Sequence, residues 1–332
     1  MPETPRTRLV RGLAPLTGFA FLTAALDVFA GNQLQAQDPA TVAAISFTLA
    51  ALFFLGGDML RRGPAATFRP LRDHRYDVLM INVTTAVTWL SMLYALKFLE
   101  PAIVNVVGLA LGPLLTVLVS PVLRPGTKLL RTEVVISLFI GVMIAMLVWG
   151  SFTGHSAVGE RSTADTAIGI ALTLLTGLGS VTNVIYSKRL SDAGLKPQSV
   201  LAVRFFLMLA LTWTLVAVND HPAVGTAFLP SLMIAVVGVA APLYLLQVGI
   251  KHTEPITASI LLTLSPLFAF FLQLPDQRLT PSALTFAGVA GIVALVAIST
   301  VVRTKHDAAA RAAEEAEPAE APVRQQVRPC TG

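Results

Sequence analysis

Asp27 stands in the run Ala24-Ala25-Leu26-Asp27-Val28-Phe29-Ala30, an ionisable side chain among apolar ones with no basic residue near it in sequence. Desolvation penalises its charged form, which would suit alternate binding of a proton and a cationic substrate; near an interface it would merely reach water. Arg204, in Leu201-Ala202-Val203-Arg204-Phe205-Phe206, poses the opposite question. It could contact an anion, or its long side chain could extend to the nearest aqueous surface. Thr84, Thr88 and Ser91 form a stripe at helical spacing, with Asn82 and Thr85 alongside. Trp89 could stack on a flat or cationic ligand, or simply pack. Asn105, Asn183, Tyr186, Tyr244, Gln247, Thr257, Ser259 and Thr263 complete a pool of groups that could line a cavity or bond neighbouring helices.

Other chemistries lack their residues. The histidines at 74, 155, 221, 252 and 306 are scattered without metal-ligand spacing, and no phosphate-binding Gly-x-x-x-x-Gly-Lys loop occurs. No metal, cofactor or enzyme activity is therefore expected, and Cys330 is the one cysteine.

The elements that must carry these groups follow from composition. The 332 residues are 54% hydrophobic and 13% charged, with a mean hydropathy of +0.71. A soluble surface needs roughly twice that charge density, so the chain reads as an all-α integral membrane protein with the lipid bilayer as its solvent. The net charge of +5 comes from dispersed basic groups, which argues against a nucleic-acid partner. About 20 mostly apolar residues span a bilayer. Ten stretches qualify: 13–31, 41–57, 76–98, 101–123, 132–152, 164–188, 198–218, 228–248, 255–274 and 281–303. The second is expected to turn at Gly56-Gly57.

Lys and Arg beside a span resist translocation. With both termini in the cytoplasm, 20 of the 24 basic residues fall inside, while Lys97, Arg161 and Arg278 fall outside and Arg204 lies within the seventh span. The expected organisation is a cytoplasmic segment at 1–12, five helices over 13–152, an extracytoplasmic connector at 153–163, five more helices over 164–303, and a disordered cytoplasmic tail at 304–332, briefly helical at 307–316. No cleavable signal peptide is visible, so the first span is expected to remain as an anchor.

The two groups of five resemble each other. Lys97-Phe98-Leu99-Glu100-Pro101 recurs 154 residues on as Lys251-His252-Thr253-Glu254-Pro255. Pro113 follows Glu100 by 13 residues and Pro266 follows Glu254 by 12, and both, with Pro242, are expected to kink their helices. Five spans separate the corners, so the copies face opposite sides as an inverted repeat. Two bundles of opposite topology can rock about a site near the membrane midplane, which favours a carrier over a membrane-embedded enzyme or a sensor. The small-residue faces Gly141/Ala145 and Ala287/Gly291 place the fifth and tenth spans at the periphery, where they could support a homodimer.

Ten spans in a five-plus-five repeat, with Tyr94-Ala95-Leu96-Lys97-Phe98-Leu99-Glu100-Pro101 before Leu109-x-Leu-Gly-Pro113, and Thr253 and Ala258-Ser259 before Leu264-Ser-Pro266-Leu, resemble the EamA-type family of the drug/metabolite transporter superfamily. Ala202-Val203-Arg204-Phe205-Phe206 is similar to its Arg-Phe signature, with Ser46-Phe47 at the matching place in the second span. The likeness runs from about residue 13 to 303. The family's Gly-Glu-Arg corner is replaced by Asp276-Gln277-Arg278 and by Leu123-Arg124-Pro125-Gly126, so no role passes to a glutamate there. The resemblance implies a multi-pass secondary transporter, often an exporter of metabolites, amino acids or toxic compounds. An importer of the same fold is the alternative. Arginine outnumbers lysine 18 to 6. That bias, with abundant alanine, suits a GC-rich bacterial genome, for which the membrane is most simply the plasma membrane.

Overall fold

The computed structural model describes residues 12–123, 131–159, 161–219, 224–251, 253 and 255–316. Every regular element among them is helical. In chain order these are α1 (Ala14–Gln33), α2 (Pro39–Arg62), α3 (Pro64–Asp73), α4 (Arg75–Phe98), α5 (Pro101–Leu123), α6 (Arg131–Phe152), α7 (Thr163–Asp192), α8 (Pro197–Val203), α9 (Phe206–Val218), α10 (Val224–Met233), a π-helical stretch (Ile234–Ala240), α11 (Ala241–Lys251), α12 (Pro255–Leu262), α13 (Ser265–Gln273) and α14 (Ala283–Ala316).

Eight helical segments among the described residues are long and apolar enough to cross a membrane: Ala14–Gln33, Pro39–Arg62, Arg75–Phe98, Val134–Phe152, Thr163–Asp192, Pro197–Val218, Val224–Leu246 and Ala283–His306. Two shorter apolar helices, Pro101–Leu115 and Ile260–Gln273, fall where the sequence predicts the fourth and ninth spans. Their surfaces suit lipid, since Leu52, Phe53, Leu138, Phe139, Trp149 and Val184 all point outward.

Local signals set most helix ends. Asp38 caps α2 by accepting from the Thr41 amide at 2.9 Å, and Pro39 occupies the first turn, where its missing N–H costs nothing. Ser162 does the same for α7 through the Asp165 amide at 3.0 Å. One expectation needs correcting. The chain does not turn at Gly56-Gly57; α2 runs on to Arg62 and turns at Gly63, whose φ of 79° suits glycine. Two glycines inside an apolar helix cost some propensity, and the bonds that Asp58 accepts from Thr67 and Ser199 hold the helix beyond them. The following α3 was not anticipated. It is amphipathic, with Thr67 and Pro70 buried and Arg69 and Arg72 exposed.

Three elements in the second half are interrupted. Thr263 and Leu264 form a turn between α12 and α13, so Pro266 lies in the first turn of a new helix. Arg204 and Phe205 separate α8 from α9. The π-helical stretch precedes Pro242. Pro113, by contrast, lies within an unbroken α5.

Glycine brings α7 against its neighbours. A Cβ on Gly179 would lie 3.0 Å from the Thr88 backbone nitrogen of α4, and one on Gly177 would collide with Leu111 of α5. Backbone cannot yield as a flexible side chain can. Gly179→Val is expected to cost about 1–3 kcal/mol by overpacking, read as a lower unfolding midpoint in detergent. The helices α6 and α14 pack together in the same manner, with Gly288 against Leu147 and Gly291 against Met143. Gly141 meets nothing within 4 Å, so its face with the exposed Ala145 points outward.

The two ends of the bundle are tied differently. At the end bearing α3, the buried Asp58 accepts from Thr67 Oγ1 at 2.9 Å and Ser199 Oγ at 3.0 Å, while Arg62 donates to Ser199 Oγ at 2.6 Å. At the opposite end, Asn32 Nδ2 donates to Asp276 at 3.3 Å and Arg278 donates to the Gly31 carbonyl at 3.2 Å. Arg278 also holds the Asp276 carboxyl below the usual carboxylate range by hydrogen bonding.

Candidate functional site

Two polar foci lie within the apolar bundle. The first is built on Asp27, which is 3% exposed on α1. Asn105 of α5 donates through Nδ2 to Asp27 Oδ2 at 2.5 Å and to Ser265 Oγ at 3.2 Å. Ser265 opens α13 just after the break in the ninth apolar segment. The other carboxylate oxygen, Asp27 Oδ1, is buried and has no partner. A buried polar atom left unpaired is costly, and a bound proton or a donor on a ligand would satisfy it. Gly238 keeps the π-helical stretch close to this site, because a Cβ there would collide with Leu26. Such π-helical turns are frequent at functional sites.

The second focus gathers around the break between α8 and α9. Asn82 of α4 bridges it, donating to the Val203 carbonyl at 2.8 Å and accepting from the Leu207 amide at 3.2 Å. Arg204 projects from the break into the polar stripe of α4. Its Nε donates to Thr85 Oγ1 at 3.1 Å and its Nη2 to Asn183 Oδ1 at 2.7 Å. Asn183 in turn donates to Thr84 at 3.1 Å and to Thr85 at 2.9 Å. No carboxylate pairs with Arg204 among the described residues. Aromatic rings flank it: the guanidinium lies 5.7 Å from the Phe205 ring, Phe205 is 5.6 Å from Phe47, and Phe47 meets Trp89 edge-on at 5.0 Å.

The structure thus joins Asp27 with Asn105, and Asn82, Thr85 and Asn183 with Arg204, while Trp89 packs in the aromatic group beside the second focus. Two candidates lie elsewhere. Tyr186 sits edge-on to Tyr76 at 6.2 Å, beside the Arg189–Asp77 ion pair of 3.0 Å. Tyr244 is 69% exposed on the outside of α11. Pro266 follows Ser265, the first residue of α13 after the break in the ninth apolar segment, which accepts from Asn105. Sequence reasoning passed over Ser265, although its place beside the repeated proline was a usable signal. No group of three or more His, Cys, Asp or Glu suited to a metal ion occurs among the described residues.

A cavity of about 240 Å³ opens at the end opposite α3, lined by Gln35, Lys97, Pro101, Arg161 and Arg278 among others. Beside it lies a polar group that the sequence marked only as a repeated corner. Glu100, 1% exposed in the turn between α4 and α5, accepts from the Ala157 amide at 3.1 Å, Gln273 Nε2 at 3.3 Å and Thr285 Oγ1 at 2.5 Å.

With every regular element among the described residues helical and with these apolar segments, the chain is a multi-pass membrane protein. Residues 167–301 match the model of the EamA-like transporter family, so the chain carries an EamA domain in its second half, in keeping with the drug/metabolite transporter superfamily. A solved structure titled only "Crystal structure of protein" covers 88% of this chain and 97% of its own, at a TM-score of 0.59 and 21% identity. That likeness is one of fold, and it extends beyond the EamA domain. No curated protein matches the chain. Family and apolar helices together support a transporter or permease.

Proposed function

We propose that this protein is a secondary active transporter that exports a small organic metabolite, amino acid or drug-like compound across the plasma membrane by alternating access, exchanging it for a proton at Asp27. The observation that carries this reading is the unpartnered Oδ1 of Asp27, held beside the broken ninth segment by Asn105. Broken helices at a polar site between two similar bundles are the usual construction of carriers that work from gradients. The inverted repeat of the Glu-Pro corners, with both termini in the cytoplasm, belongs to the same proposal. No phosphate loop supplies an alternative energy source.

The test is proton flux in proteoliposomes under an imposed pH gradient, scored across a panel of small amines, amino acids and organic acids. Wild type is expected to show compound-dependent proton movement, and Asp27→Asn to lose it by at least about tenfold, because an amide cannot take up and release the proton. Undiminished proton-linked flux in Asp27→Asn would remove Asp27 from the mechanism. A second reading has its own observation: Arg204 uses Nε and Nη2 within the bundle and has no acidic partner. If Arg204→Gln abolishes flux of organic acids alone, the substrate is an anion held at the second focus.

A further inference from the structure

The end of the bundle that the basic-residue bias places outside is closed across the two halves of the chain, and Glu100 is at its centre. Its three donors come from three separate elements: Ala157 from the connector after α6, Gln273 from the end of α13, and Thr285 from the start of α14. Gln273 also returns a bond to the first half, accepting from the Ala102 amide at 3.2 Å. All three donors are neutral, and no cation pairs with the buried carboxyl among the described residues.

The charged and titratable side chains on the surrounding elements are accounted for. They are Tyr94 and Lys97 in the last turns of α4, His155 and Arg161 in the connector, Asp165 in the first turn of α7, whose Gly169 packs on Phe98 and Leu99, and Asp276 and Arg278 in the loop before α14; Glu160 lies outside the described residues. The sequences of α13 and of the first two turns of α14 contribute none. His155 is engaged by Thr153 Oγ1 at 2.9 Å and stacks on Trp149, and Arg278 is engaged by Asp276. A carboxyl withdrawn from water without a counter-ion is stable there as the neutral acid, whereas in an opened and wetted turn it ionises.

We propose that Glu100 is a second proton-binding site, which takes up a proton as the outer end closes and releases it as that end opens. This rests on the alternating-access reading above. Burial pushes the Glu100 carboxyl up to about 7, although its bonds to Thr285, Ala157 and Gln273 pull the other way. The sign follows from linkage. The closed end holds the proton more tightly than an open, solvated one, so acid favours the closed end and rising pH favours opening. The response lies between the ordinary glutamate range and about 7, and reaches up to about tenfold in the open-to-closed ratio per pH unit. Asp276, held lower by Arg278, remains ionised over most of that window and does not compete.

The experiment is a distance measurement between spin labels on the full chain in lipid nanodiscs, at Ala36→Cys and Gln277→Cys, both exposed, with Cys330→Ser to remove the native thiol. No substrate is needed. Wild type is expected to gain a longer-distance population between pH 5 and pH 8. Glu100→Gln, a permanently neutral side chain, is expected to stay short at both. Thr285→Val removes one donor to the ionised carboxylate of the closed end and so destabilises that state alone; its open population is expected to exceed that of wild type at pH 8 and to match it at pH 5. A pH-independent wild type, opening at low pH, or an unaltered response in Glu100→Gln or Thr285→Val would overturn the proposal. So would a response lost in Asp27→Asn but retained in Glu100→Gln. Absence of proton-linked transport with the distance change intact would instead defeat the transport reading and leave the proton site standing.

Discussion

Asn82→Ala is expected to lower the unfolding free energy by about 2–4 kcal/mol, a large fraction of what holds a protein of this kind together. Asn82 occupies both sides of the break between α8 and α9, so its loss orphans the Val203 carbonyl and the Leu207 amide together. Each buried backbone group left unpaired costs about 1–3 kcal/mol. Polar contacts between membrane helices average only about 0.6 kcal/mol, because the unfolded reference finds other partners. That discount is weak at this position, since an interrupted helix offers its terminal groups no partner of its own. Denaturant titration in mixed micelles measures the difference. A loss below about 0.5 kcal/mol would mean that something other than Asn82 holds the break.

Arg204 leads to a less intuitive ranking: arginine most stable, methionine next, lysine last. Placing a cation deep in a membrane span costs about 2.5–3.5 kcal/mol on insertion scales. Hydrogen bonds from a charged donor return roughly 1.5–3 kcal/mol each. Arg204 makes two, to Thr85 and Asn183, so the bonds outweigh the insertion cost. Methionine forfeits both bonds and avoids the cost, for an expected net loss of about 1–2 kcal/mol. Lysine keeps the cost, yet its single ammonium cannot reproduce the planar fork that meets oxygens on α4 and α7 at once. Thermal scans of the three proteins in one detergent decide the matter. Lysine outperforming methionine would show that the side chain reaches water and is not committed to this network.

Much of this architecture was legible in the sequence because membrane helices must satisfy their own backbones, which makes apolar length a direct readout of spans. The segments of α1, α4 and α7 fell within a few residues of expectation. What was not legible depended on tertiary partners. Nothing in Gly56-Gly57 distinguishes a turn from a helix that packing will enforce, and the amphipathic α3 was hidden in a loop rich in arginine. The Asp27 site was half visible: the carboxyl announced itself by being out of place, whereas Asn105 and Ser265 are ordinary polar residues until folding brings them to it. Glu100 shows the reverse case. Its repetition as Glu254 made the corner conspicuous as a pattern, but only three donors from the far half of the chain reveal a buried acid. Glu254 itself lies outside the described residues.

The interruptions described above are unevenly shared. All three fall between residues 197 and 273, whereas α1, α2, α4 and α5 each run through without one. The halves are therefore unequal in stiffness: the first can serve as a stator, and the second, jointed at Arg204, at the π-helical stretch and at Thr263, supplies the compliance. Under the alternating access proposed above, the stroke would be bending within the second half more than tilting of two rigid bodies, with the movement concentrated beside Asp27 and Arg204.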